Sequence, residues 1–240
     1  MRILILLLFF HCTASFAQKR LLIFAKTAGY HHQSIANGFP ALQKLSAEHK
    51  FLADTTTDAS QFTLKNLKRY AAVVFLSTTG DVLDEQQQKA FEDYIHQGGG
   101  FVGIHAASDT EYGWPWYGKL VGAYFVSHPA QQEAVLHVVD PNTIATRHFP
   151  LEWKRKDEWY NFKEIQTDLH ILMTLDEKTY TGGINGDPHP FAWYHDFDGG
   201  RAFYTGLGHM EDSYTDPLFL KHVLGGILYA TGTKKMELKK

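Results

Sequence analysis

Three stretches of the chain carry residues suited to chemistry, and each begins where an apolar run stops. Phe101-Val102-Gly103-Ile104 is too short for a helix and follows Gly98-Gly99-Gly100; it delivers His105 among Ala106, Ala107 and Ser108. The spacing Gly103-Ile104-His105-Ala106-Ala107 is that of a nucleophile elbow, a strand-to-helix turn so tight that only small neighbours fit, with His where such enzymes carry Ser or Cys. Asp109 and Glu111 follow, then Trp114, Trp116 and Tyr117, a polar cluster beside an aromatic platform. The second stretch, Tyr204-Thr205-Gly206-Leu207-Gly208-His209-Met210-Glu211, ends a strand, turns on two glycines and presents His209 with Glu211. The third, Tyr30-His31-His32, follows Leu21-Leu22-Ile23-Phe24-Ala25.

Two kinds of chemistry fit these types. Imidazoles at His105 and His209 can serve as general acid and base, because both protonation states exist near neutral pH, with Asp109 and Glu211 orienting or tuning them. Neutral imidazole is also the commonest zinc ligand, and His31, His105 and His209 could hold a divalent metal such as zinc, with His32 nearby. No HExxH or similar motif is present, so acid/base chemistry needing no cofactor and a metal-dependent hydrolase both stand. A third reading is a carbohydrate-binding module without catalysis, its platform formed by Trp114, Trp116, Tyr117 and Trp159. Thr78 and His128 are further candidates for substrate contact. His189 and His195 read as surface or supporting residues, and His137, His148, His170 and His222 as structural or exposed.

The elements that must position these residues alternate. Continuous apolar runs at Leu21–Ala25, Ala71–Leu76 and Phe101–Ile104, with a weaker strand from Phe51, are separated by helical spacing from Ile35, at Thr63–Leu67 and from Asp84 through Gln97. That order predicts right-handed crossovers and a doubly wound, mostly parallel α/β sheet. In such sheets the ligand crevice lies outside the carboxyl ends of the strands, and with the first and third strands expected beside the one that ends at His105, His31, Thr78 and His105 come near one another. A short helix from Trp116 to Val121 is expected to break off at Ser127-His128-Pro129. Glu133–Asp140, Leu169–Leu175, Phe191–His195 and Arg201–Tyr204 read as strands, the last two joined by a Gly199-Gly200 turn that makes the C-terminal extension antiparallel. Asp157 to Phe162 is a polar-aromatic second wall. Pro217–Ala230 is a closing helix.

Met1–Ala17 carries Arg2, an apolar run and a small-residue end, the pattern of a cleaved secretory signal peptide. Bulky Phe9-Phe10-His11 before Cys12 argues against a lipoprotein site. Cys12 is the one cysteine, so cleavage near Ala17 leaves neither a disulfide nor a thiol nucleophile. The expected organisation is a leader at 1–17, one domain at 20–231 and a solvated tail at 232–240, in a secreted or periplasmic protein with no membrane association once mature. Basic and acidic residues number 23 and 26 with no basic stripe, which excludes a nucleic-acid partner; homo-oligomerisation is left open.

The stretches GGGFVGIHAASDTEYGWPWYGKLVGAYF, DEWYNF and FYTGLGHMEDSY resemble the ThuA-like, or trehalose-utilisation, domain. The resemblance runs from about Arg20 to Thr231 and implies a class I glutamine amidotransferase-like (flavodoxin-like) fold. In that wider group a Cys stands at the elbow and a late His activates it; the matching positions here are His105 and His209. Without a thiol, thioester chemistry on glutamine is unavailable. The resemblance implies carbohydrate metabolism instead, with a small-molecule sugar or 3-keto-sugar as partner. Proton abstraction beside a keto group, followed by elimination or isomerisation, needs no nucleophile, and hydrolysis is the remaining option.

Overall fold

The computed structural model describes residues 18–238, so the stretch read as a leader lies outside the described residues. Its strands are β1 (Arg20–Phe24), β2 (Leu52–Thr56), β3 (Ala72–Leu76), β4 (Gly100–Ile104), β5 (Tyr124–Ser127), β6 (Gln132–Val138), β7 (Glu152–Asp157), β8 (Asn161–Lys163), β9 (His170–Leu175), β10 (His189–Phe197) and β11 (Gly200–Thr205). Its α-helices are α1 (Ile35–Glu48), α2 (Leu64–Leu67), α3 (Glu85–His96), α4 (Pro115–Val121) and α5 (Pro217–Ala230). The main sheet has the order β2-β1-β3-β4-β11-β10-β9-β6-β7. Its first five strands are parallel and reproduce the 2-1-3-4-5 order of flavodoxin-like folds. From β10 onward neighbouring strands pair antiparallel.

The apolar runs predicted as central strands are buried along their whole length in β3 and β4, as parallel strands covered by helices must be. On one face Phe24, Phe62, Phe75, Phe91, Phe101 and Tyr117 pack ring against ring, with neighbouring centroids 4.6–6.3 Å apart. Each such side chain contributes roughly 1.5–3 kcal/mol of burial, so this cluster ties α3 and α4 to the sheet. On the other face α5 lies on Phe203 of β11. Asp84 caps α3 in a reciprocal box with Gln87.

Three expectations are corrected, and one strand is added. Helix α4 ends at Gly122, whose φ of +95° is the left-handed turn glycine favours, and β5, which runs through Ser127, intervenes before His128-Pro129. Strand β7 escapes a search for apolar runs because it is the outer strand of the sheet and alternates Lys154 and Lys156 outward, the composition that protects a sheet edge. Met236 is 2% exposed and Ile144 donates to its carbonyl at 2.9 Å, so the segment after α5 is not wholly solvated. His105 has β3 and β11, not β1, beside its strand. Among the described residues no helix is long and apolar enough to cross a membrane.

Candidate functional site

The loops after β1, β4 and β11, at the carboxyl edge of the parallel strands, and the turn after β7 converge on one point. They bring His32, His105, His209 and Glu158 together, with one nitrogen or oxygen of each within 4.8 Å of the others. His105 sits at the predicted elbow with φ +52°, a left-handed conformation that costs a residue with a Cβ about 1–2 kcal/mol. Neighbouring elements hold it there. Tyr204 Oη donates to the His105 carbonyl at 2.7 Å, and His105 Nδ1 donates to the Gly206 carbonyl at 2.9 Å. With its proton on Nδ1, the neutral ring turns a lone pair on Nε2 toward the cluster.

Glu158 is the centre. Its Oε2 lies 3.0 Å from His209 Nδ1 and 3.4 Å from His105 Nε2, while Oε1 lies 3.3 Å from His128 Nδ1. Burial acts to raise the Glu158 carboxyl, but hydrogen bonds from His105 and His209, and their charge, bring it well below the ordinary range. His209 shows the counterpart. Burial acts to lower it, yet the hydrogen bond and charge of Glu158 raise it above the usual imidazole value. His32 is held neutral, pushed down to about 2 by burial first and then by the neighbouring imidazoles. Tyr160 lies under the group, its ring centroid 4.3 Å from that of His105 and its Oη 3.5 Å from His32 Nε2. The side-chain amide of Gln131 covers His209 Nε2 at 2.6 Å.

The two histidines predicted to meet do so: His105 Nε2 is 3.2 Å from His209 Nδ1. The carboxylates expected beside them are elsewhere. Glu211 is exposed at the start of the turn before α5, and Asp109 accepts from Tyr112 Oη at 2.6 Å, its carboxyl raised by burial. Glu111 is 1% exposed and accepts from the backbone N–H groups of Val82 and Leu83 and from Gln88, so it anchors the approach to α3. His31 is exposed and pairs with Thr27 at 3.1 Å; its neighbour His32 takes the place expected of it in the cluster. Thr78 is buried against Thr110 at 2.9 Å.

The indole platform does not form. Trp114 stacks on Trp116 and Tyr117, Tyr117 donates to the Ala107 carbonyl, and Trp159 is fully buried, donating to the Gln132 carbonyl. Trp116 packs on Phe91 and Phe197 and donates to Asp198. Tyr30, 64% exposed, borders the cluster with its ring 4.9 Å from His32. His189 and His195, read as surface or supporting residues, are both buried, bonded to Glu177 and to the Leu120 carbonyl. Sequence reasoning missed Glu158, Tyr160 and Gln131. The first two lie inside the Asp157–Phe162 wall, whose acidic-aromatic alternation was the one signal available.

Residues 20–230 match the family model ThuA, described as trehalose utilisation. A ThuA-like protein of Bacteroides uniformis is similar in structure, with 24% identity, a TM-score of 0.78, and 93% of this chain and 96% of that one covered. A ThuA-like protein of Parabacteroides merdae has 22% identity and a TM-score of 0.74 over 93% of this chain and 94% of that one. A β-galactosidase of Bacillus circulans shares the fold at 10% identity and a TM-score of 0.60, over 90% of this chain but 31% of the longer enzyme. No curated protein matches the chain at a significant level. With the family model spanning nearly the whole described chain, the protein belongs to the ThuA family.

Proposed function

We propose that the protein acts in carbohydrate metabolism by acid/base chemistry on a sugar or 3-keto-sugar derivative. The observation that carries this reading is one buried carboxylate, Glu158, with His105 and His209 on one oxygen and the half-exposed His128 on the other. His128 Nδ1 donates to the Pro129 carbonyl at 2.9 Å, which leaves Nε2 as the basic atom of a neutral ring. In a 3-keto-sugar the hydrogen on C2 is acidic. His128 takes it, the resulting oxyanion on C3 is stabilised by the imidazoles gathered at Glu158, and Glu158 supports the imidazolium. Collapse of the enolate expels the oxygen substituent on C1, which takes the proton from His128; delivery of a proton to the opposite face of C2 instead gives the C2 epimer, an isomerisation. The family description supports the substrate class, and the missing thiol favours a route without a nucleophile.

The test is incubation of the purified protein with 3-keto-disaccharides and their parent sugars, followed by mass spectrometry and by NMR in deuterated water. Exchange at C2 or release of the C1 substituent from the keto form is expected. Unchanged spectra for keto and parent sugars alike would overturn the reading. We also read Met1–Ala17 as a leader for export; the intact mass of protein recovered from outside the cytoplasm should correspond to a chain beginning near Gln18.

A further inference from the structure

We propose that His32, His105, His209 and Glu158 form a binding site for a divalent cation of the zinc class, which polarises the keto oxygen of the substrate. The role rests on the sugar chemistry proposed above; the site itself rests on geometry. In a tetrahedral zinc centre, bonds of about 2.0–2.1 Å place ligand atoms roughly 3.3–3.4 Å apart. His209 Nδ1, His105 Nε2 and Glu158 Oε2 are separated by 3.0, 3.2 and 3.4 Å, the outline of one face of such a polyhedron. His32 supplies a fourth donor within 4.8 Å of the other three.

Proton accounting points the same way. His105 Nδ1 spends its hydrogen on Gly206, so only the charged ring can place a proton between Nε2 and the Glu158 oxygen 3.4 Å away; in the neutral ring the two face each other as acceptors. The hydrogen available nearby, on His209 Nδ1, must serve both. Meanwhile His32 Nδ1 is buried with no hydrogen-bond partner. An orphaned buried nitrogen is a cost to the fold, and a cation at this point relieves both deficits.

The surroundings are those that metal-bound histidines require, in which the ring nitrogen away from the metal is fixed by a carbonyl or hydroxyl. For His105 that partner is the Gly206 carbonyl, and for His32 Nε2 it is Tyr160 Oη. For His209 it is the Gln131 amide, which accepts from Nε2–H when its oxygen faces the ring, an orientation exchange that leaves the contact in place. Three imidazoles and one carboxylate favour zinc, iron, nickel or copper over magnesium or calcium. The remaining oxygen of Glu158 still faces His128, so the proton route is undisturbed.

The test uses untagged full-length protein, stripped with a chelator and titrated with Zn²⁺ against a chromophoric competitor, with metal content read by elemental analysis and no sugar present. One equivalent per chain is expected. His32→Ala and, as a second variant, His209→Ala should weaken binding about 100-fold or more, and Gln131→Ala about tenfold with the stoichiometry kept. His128→Gln and the distant His137→Ala should leave one equivalent bound. No stoichiometric uptake by the wild type, or equal uptake by the His32 and His209 variants, would overturn the site. Turnover of a keto-sugar that vanishes on chelation and returns with Zn²⁺ supports the assigned role, and turnover indifferent to chelation removes it. A protein that binds Zn²⁺ but leaves every keto-sugar unchanged overturns the substrate reading while the site stands.

Discussion

At the scale of single residues, the partner of a histidine is set by folding distance and not by neighbourhood in the chain. The motif after β11 offers Glu211 two positions from His209, yet the carboxylate that touches His209 is Glu158, some fifty positions earlier, 3.0 Å away. A helix or loop places residues two apart on different sides, and Glu211 accordingly points to solvent. The contrast is testable with conservative variants. Glu158→Gln removes the charge shared by His105, His128 and His209 and should lower turnover of a keto-sugar by about 100-fold or more. Glu211→Gln should leave turnover within about twofold, well inside the loss of any acid/base group. Equal losses in steady-state kinetics would return Glu211 to the site. The imidazoles themselves were legible because each follows a buried strand at a glycine or small-residue turn. The tryptophans misled because a large ring in a loop sequence says nothing about which way it packs; here Trp114 and Trp159 complete the core.

At the scale of elements, what the sequence makes plain is the alternation of apolar strands with capped helices. What it hides are strands at the margin, such as β7, whose lysines erase the apolar signal. Glu111 illustrates how a polar residue beside a candidate site can belong to the scaffold. Its Oε1 accepts at 2.8 Å from both Val82 and Leu83 N–H, and Oε2 accepts from Gln88, which locks the chain before α3. Glu111→Ala strands two buried N–H groups and should cost about 2–3 kcal/mol in urea unfolding, with turnover of the folded fraction retained. A stable variant with impaired turnover would instead make Glu111 a substrate contact. The cap of the same helix provides a milder reference. Asp84→Ala breaks the reciprocal box with Gln87 and should cost about 1 kcal/mol, read as a lower Tm with an unchanged site.

For the whole molecule, the parallel half of the sheet was legible because its inner strands β1, β3 and β4 are buried on both faces and therefore apolar almost throughout, while the polar edge strand β2 showed only weakly. In the other half, β6 and β9 were legible as strands, but antiparallel pairing only where a turn such as Gly199-Gly200 announced it. Joining the two halves leaves several histidines in the interior, and these set how the fold responds to acid. His222 on α5 is fully buried between Phe149 and Phe203, and its Nδ1 donates to the Ala145 carbonyl at 2.8 Å, clamping the 143–149 loop to the sheet through the helix. Burial pushes it down to about 4, against the bond to Ala145 and helped by nearby His148, which burial also lowers. A folded-state pKa below the unfolded 6.5 means the unfolded chain binds more protons between those values. Stability from this group is then complete above pH 6.5 and lost as pH falls toward 4, by on the order of 3 kcal/mol. Urea titrations at pH 7 and pH 4.5 should show that loss in the wild type. His222→Gln, which keeps a donor for Ala145 without a titrating ring, should be somewhat less stable at pH 7 and show a smaller difference between the two pH values. A pH dependence equal to that of the wild type would mean that His222 already carries its proton inside the fold.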